Sequence, residues 1–84
     1  MENLSIDVGE VRMILERFPS LVGISETDDF FDRGLNSLSV LELQVELENR
    51  FKAKVNVTEL LAKPSLQGWV EILSKSVQGE YANV

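Results

Sequence analysis

Ser37 is the residue whose type and surroundings best equip it for chemistry. The chain has no cysteine and no histidine, so thiolate nucleophiles, imidazole bases, disulfides and the commonest metal-binding side chains are missing together. What remains is a hydroxyl near the end of Phe30-Phe31-Asp32-Arg33-Gly34-Leu35-Asn36-Ser37-Leu38, where an apolar-periodic segment begins. Gly34 and Asn36 are turn residues, and with Asn36 as N-cap the pair Leu35 and Val40 makes a hydrophobic staple across a helix start. Ser37 then takes the first helical position with no capping duty. It sits among unpaired N–H groups and the positive end of the helix dipole, where an attached phosphate is stabilised. Two readings stand: a covalent attachment point, or an ordinary serine at a helix start. A rival frame, with Ser39 as N-cap, Glu42 closing a capping box and Leu38 and Leu43 as the staple, also leaves Ser37 at the loop–helix junction.

The acids nearby do not form a cation loop. Counting a calcium-binding loop from Asp28 puts Arg33 where glycine is required and Ser39 where the closing glutamate belongs. There is no phosphate-cradling glycine loop, nucleophile elbow or internal repeat. At 84 residues, the chain reads as one domain, 1–84, with little room for a deep substrate pocket, which points to a non-catalytic protein. The net charge of −6 argues against nucleic-acid binding. Residues 26–48 carry Glu26, Asp28, Asp29, Asp32, Glu42, Glu46 and Glu48 against Arg33 alone, which accounts for the whole excess. Such a field either steers basic partners towards Ser37 or simply keeps the surface soluble. The sequence has no positive leader followed by an apolar run and no segment of membrane-span length, so a cytoplasmic protein without membrane contact is expected.

Positioning Ser37 requires a scaffold, and the periodicity predicts helices at about 8–18, 37–52, 57–62 and 66–77, with 79–84 a frayed tail. In the first, Asp7 is the N-cap with Glu10 at the capping-box position and Ile6 and Val11 as staple; Val8, Val11, Ile14, Leu15 and Phe18 share a face, and Pro19 stops the run. Residues 19–36 have no sustained period, and Phe30 and Phe31 are expected to pin this long loop to the core. The second helix is apolar on two faces. Val40, Leu43, Leu47 and Phe51 form the core stripe; Leu38, Leu41 and Val45, flanked by Glu42, Glu46 and Glu48, are either covered by a neighbour or offered to partners. Asn56 caps the short third helix, with Glu59 in a capping box and Val55 stapling Leu60, and Pro64 ends it. Ser65 caps the fourth, where Leu66, Trp69, Val70, Leu73 and Val77 share a face despite Gly68, which costs about 1 kcal/mol of helix propensity. The fold class is all-α: a small antiparallel four-helix bundle of three longer helices and one short one, with a long loop between the first two.

This layout, and the run Asp29-Phe30-Phe31-Asp32-Arg33-Gly34-Leu35-Asn36-Ser37-Leu38 followed by Glu42-Leu43, Leu47-Glu48 and Phe51, resemble the acyl and peptidyl carrier proteins over nearly the whole chain. The resemblance implies that Ser37 carries 4′-phosphopantetheine from coenzyme A, whose thiol holds a substrate as a thioester. It also implies that Leu38, Leu41, Glu42, Val45 and Glu46 form the face that partners recognise. The implied partners are a phosphopantetheinyl transferase, an acyl- or aminoacyl-loading ligase or adenylation enzyme, and downstream synthases or transferases with basic docking surfaces, all meeting a monomer. Asn36 stands where carriers of fatty-acid synthesis usually have aspartate. Asn-Ser-Leu with Phe-Phe looks more like stand-alone carriers of polyketide or nonribosomal peptide assembly. A D-alanyl carrier, a fatty-acid-synthesis carrier and an unmodified helical interaction domain are the alternatives.

Overall fold

The computed structural model describes residues 6–77. Four helices, α1 (Val8–Leu15), α2 (Ser37–Phe51), α3 (Val57–Ala62) and α4 (Leu66–Val77), form the expected all-α bundle, and among the described residues there is no strand. The side chain of Val77 and the tail expected to fray at 79–84 lie outside the described residues. Helix α1 packs on α2 and α4, and α3 bridges α2 and α4. One core runs through all four, and among the described residues no polar side chain is buried. Its centre is Leu15, Val40, Leu43, Leu47, Leu60, Leu66, Trp69 and Leu73.

Each helix starts where a capping side chain stands. Asp7 accepts the Gly9 N–H at 2.8 Å, Asn56 accepts that of Thr58 at 2.7 Å, and the Ser65 hydroxyl accepts that of Gly68 at 3.1 Å. Glu10 does not stay at its own helix start; its carboxylate pairs with Arg50 of α2 at 3.0 Å. Helix α1 is shorter than its apolar stripe, ending at Leu15 rather than 18. The N–H groups of Arg17 and Phe18 reach back only three residues, to Ile14 and Leu15. Phe18 is then extended (φ −93°, ψ 117°), as the residue before a proline must be. It still packs against the core. Helix α2 stops at Phe51 because Lys52 turns left-handed, φ 54°, a C-terminal cap more often made by glycine.

The 19–36 connection holds two 3-10 turns, Pro19–Leu21 and Phe31–Arg33, and puts Leu21, Ile24, Phe30 and Leu35 into the core. The pair Phe30-Phe31 does not pin it together. Phe30 is fully buried, whereas Phe31 is more than a third exposed, because the tight turn sends consecutive side chains in different directions. On α2 the stripe Val40, Leu43, Leu47 is buried with Phe51 at its margin, and the second stripe, Leu38, Leu41, Val45, is open to solvent.

Gly68 has a packing role that helix propensity hides. It is buried on α4, and a Cβ there would stand 2.8 Å from both the Cβ and the carbonyl oxygen of Lys63. Only a residue without a side chain lets the end of α3 lie this close to α4.

Candidate functional site

The approach to Ser37 is built outward from one aromatic contact. Phe30 meets Trp69 of α4 edge to face, with centroids 4.8 Å apart and planes at 84°, a geometry worth about 0.5–1.5 kcal/mol beyond the area buried. The indole N–H of Trp69 donates to the Leu60 carbonyl at 3.0 Å, so α3, α4 and the loop share this anchor. The Phe30 N–H donates to the Pro64 carbonyl at 2.7 Å, and its own carbonyl accepts from Arg33 at 3.0 Å and Leu35 at 3.1 Å. Asp29 accepts the Phe31 N–H at 2.7 Å and starts the turn. Gly34 ends it in the left-handed region, φ 99°, the conformation its lack of Cβ permits. Leu35 then drops into the core, and Asn36 is extended with its Oδ1 accepting the Ser39 N–H at 2.8 Å. The Asn36 frame is therefore the one the chain adopts, with buried Leu35 and Val40 as the staple.

Ser37 is the first residue of α2 and is exposed. Because Asn36 does the capping, the serine hydroxyl is left out of the helix start. The first N–H groups of any helix have no intrahelical acceptor, and those of Ser37 and Leu38 stand in this position. No acid lies in the first turn, so the positive end of the dipole is not cancelled there. A phosphate ester on Ser37 Oγ fits this environment: charge, free donors and open space coincide at one atom.

The loop in front of the site is fastened by charged side chains from α1 and from the loop itself. Arg12 donates to the Ile24 carbonyl at 2.7 Å, and Glu16, the C-cap of α1, accepts the Gly23 N–H at 3.2 Å. Arg33 donates to the Val22 carbonyl at 3.3 Å and pairs with Asp28 at 3.4 Å. Asp28 in turn accepts the Ser25 N–H at 3.2 Å. The only advance signal was the four-residue spacing of Arg12 and Glu16, which suggests a pair on one helix but not a clamp on a loop.

The residues expected on the face beside Ser37 differ in their surroundings. Leu38, Leu41, Glu42 and Val45 are exposed along α2. Glu46 lies on the same helix but pairs with Arg17, in the turn that follows α1, and Glu48 is turned aside to accept the Val55 N–H at 3.0 Å. With Asp28 and Asp29 engaged in the loop, the acidic field is thinner than its seven carboxylates suggest.

Fold and site together define a small helical domain that presents one serine at the head of its longest described helix. Residues 9–73 match the phosphopantetheine attachment site family. The chain belongs to that family, as its resemblance to the acyl and peptidyl carrier proteins implied, and the group the family binds is 4′-phosphopantetheine. Among similar proteins are a hybrid PKS-NRPS synthetase of Gloeophyllum trabeum, 36% identical over 59 residues that make up 69% of this chain and 4% of the relative. Another is a nonribosomal peptide synthetase of Clonostachys rogersoniana, 33% identical over 64 residues, 76% of this chain and 3% of the relative. The chain thus spans only a few per cent of the length of these relatives. No solved structure matches it significantly. Among the described residues no helix is long and apolar enough to cross a membrane.

Proposed function

We propose that this protein is a non-catalytic carrier in which Ser37 bears 4′-phosphopantetheine. The observation that carries this is the division of labour at the start of α2: Asn36 caps the helix through Oδ1, and the neighbouring serine stands exposed, its hydroxyl without a hydrogen-bond partner among the described residues. In the active site of a phosphopantetheinyl transferase, Ser37 Oγ attacks a phosphorus of the coenzyme A pyrophosphate. The new Oγ–P bond forms as the P–O bond to the adenosine bisphosphate breaks, and the hydroxyl proton passes to a base of the transferase. The group supplies a terminal thiol that holds an acyl or aminoacyl cargo as a thioester, which suits a chain without cysteine. The protein's part is to hold the attachment point at a helix end and offer the face beside it to loading and synthase enzymes.

The pathway we favour is polyketide or nonribosomal peptide assembly. Its support is the Asn36-Ser37-Leu38 motif with Phe30-Phe31, together with the kinds of synthetase the two relatives are named as. Intact-mass analysis after incubation with coenzyme A and a transferase tests the attachment. The parent and Ser39→Ala are expected to gain one phosphopantetheinyl group and Ser37→Ala none. Loading of Ser37→Ala, or a parent that several transferases leave unmodified, refutes it.

A further inference from the structure

The outward surface of α2 is framed on both flanks by polar side chains already bonded to the protein itself. On one flank Glu46 reaches across to Arg17, just past the end of α1, and Arg50 to Glu10 of α1. On the other, Gln44 donates to the Val55 carbonyl at 2.8 Å and Glu48 accepts the Val55 N–H at 3.0 Å. Between the flanks lie Leu38, Leu41 and Val45, exposed by 65%, 45% and 57%. Glu42 lies there too, and among the described residues it makes no ion pair.

We propose that Arg17 withholds Glu46 from partners, so that docking beside Ser37 is apolar, through Leu38, Leu41 and Val45, with Glu42 as its single steering acid. This rests on Ser37 being the attachment serine and adds the chemistry of the partner surface: an apolar hollow with one cation placed for Glu42. Ser37, Leu41 and Val45 follow each other at four-residue steps and so line one side of the helix. An enzyme whose active site closes on Ser37 Oγ must cover that line for a turn or more. Three large apolar side chains left in water there gain by being covered. A cation brought to Glu46 has to displace Arg17, which is already at contact distance. Exchanging one exposed ion pair for another yields almost nothing. At Glu42 no such competitor stands.

The test is the steady-state loading of the full-length apo protein from coenzyme A by a broad-specificity phosphopantetheinyl transferase, with the carrier varied. Leu41→Ala combined with Val45→Ala is expected to raise KM about tenfold, as truncation of central contacts does, with kcat unchanged and the carrier still folded at the assay temperature. Glu42→Gln should raise KM about two- to fivefold, the range of an exposed ion pair, and Glu46→Gln less than about twofold. In an Arg17→Gln background, Glu46→Gln should acquire the effect that Glu42→Gln has in the parent. Lys75→Gln removes the same charge elsewhere and should leave Glu46→Gln silent, which separates masking from long-range attraction. The proposal is overturned if Glu46→Gln equals Glu42→Gln in the parent, if Arg17→Gln leaves Glu46 silent, or if the apolar pair is without effect. In each of those cases continued loading at Ser37 leaves the attachment standing. A parent that is never loaded overturns both.

Discussion

Replacing Asn36 with alanine removes the oxygen that accepts the Ser39 N–H at 2.8 Å and leaves the first turn of α2 with one more unsatisfied donor. Loss of an N-cap of this kind costs about 0.5–2 kcal/mol, commonly near 1. In a domain of this size each kcal/mol lowers the melting temperature by about 4–8 °C. Ser37→Ala removes an exposed hydroxyl one residue further on, outside the cap, and alanine is the better helix former, so stability should stay within about 0.5 kcal/mol of the parent. Asn36→Asp keeps an acceptor oxygen in the cap and adds a negative charge at the positive end of the dipole, and should match or exceed the parent by about 0.3–1 kcal/mol at low salt. Thermal and urea unfolding of the three variants followed by circular dichroism gives the order Asn36→Asp, parent and Ser37→Ala together, then Asn36→Ala. If Ser37→Ala falls as far as Asn36→Ala, the serine is a cap and its hydroxyl is not free for attachment. If Asn36→Ala loses nothing, the asparagine does not hold the helix start and the division of labour fails.

On α2, Leu47→Ala should cost about 2–5 kcal/mol because Leu47 is fully buried, and the solvent-facing Leu41→Ala under about 1 kcal/mol; equal losses in urea titrations would contradict the assignment of the two faces. Of the adjacent phenylalanines, Phe30→Ala should cost about 3–5 kcal/mol through its buried contact with Trp69. Phe31→Ala should melt close to the parent, and a reversal would move the anchor of the loop. Gly68→Ala should destabilise by about 1–3 kcal/mol in unfolding titrations, since its Cβ meets backbone of Lys63, where helix propensity alone predicts a gain of about 1 kcal/mol.

Local chemistry was legible in the sequence because caps, staples and turn residues act over a few positions. Asp7, Asn36, Asn56 and Ser65 each head the helix they were expected to head, and Gly34 takes the positive φ its place in the motif called for. The core stripe of α2 followed from periodicity alone, since the side with the larger, better-aligned residues is the one a bundle buries. Ser37 could be placed at a helix head from five neighbouring residues, and the motif around it sufficed to relate the chain to its family.

Tertiary structure decided what depends on a second segment. Whether Leu38, Leu41 and Val45 are covered turns on where α1, α3 and α4 lie, and no property of α2 by itself contains that information. The partners of charges behave alike: Arg17 and Glu46 are 29 residues apart, and only the packing of the end of α1 against α2 turns this surface acid of α2 into half of an internal ion pair. Phe30 and Phe31 are the same residue type side by side, and their fates separate because a 3-10 turn aims one at Trp69 and the other at water. Gly68 reads as a weak point of α4 until Lys63 is brought within 2.8 Å of its missing side chain. Backbone preferences and short-range capping are encoded over a few residues of chain, whereas burial and charge pairing are set by distances that exist only once the chain has folded.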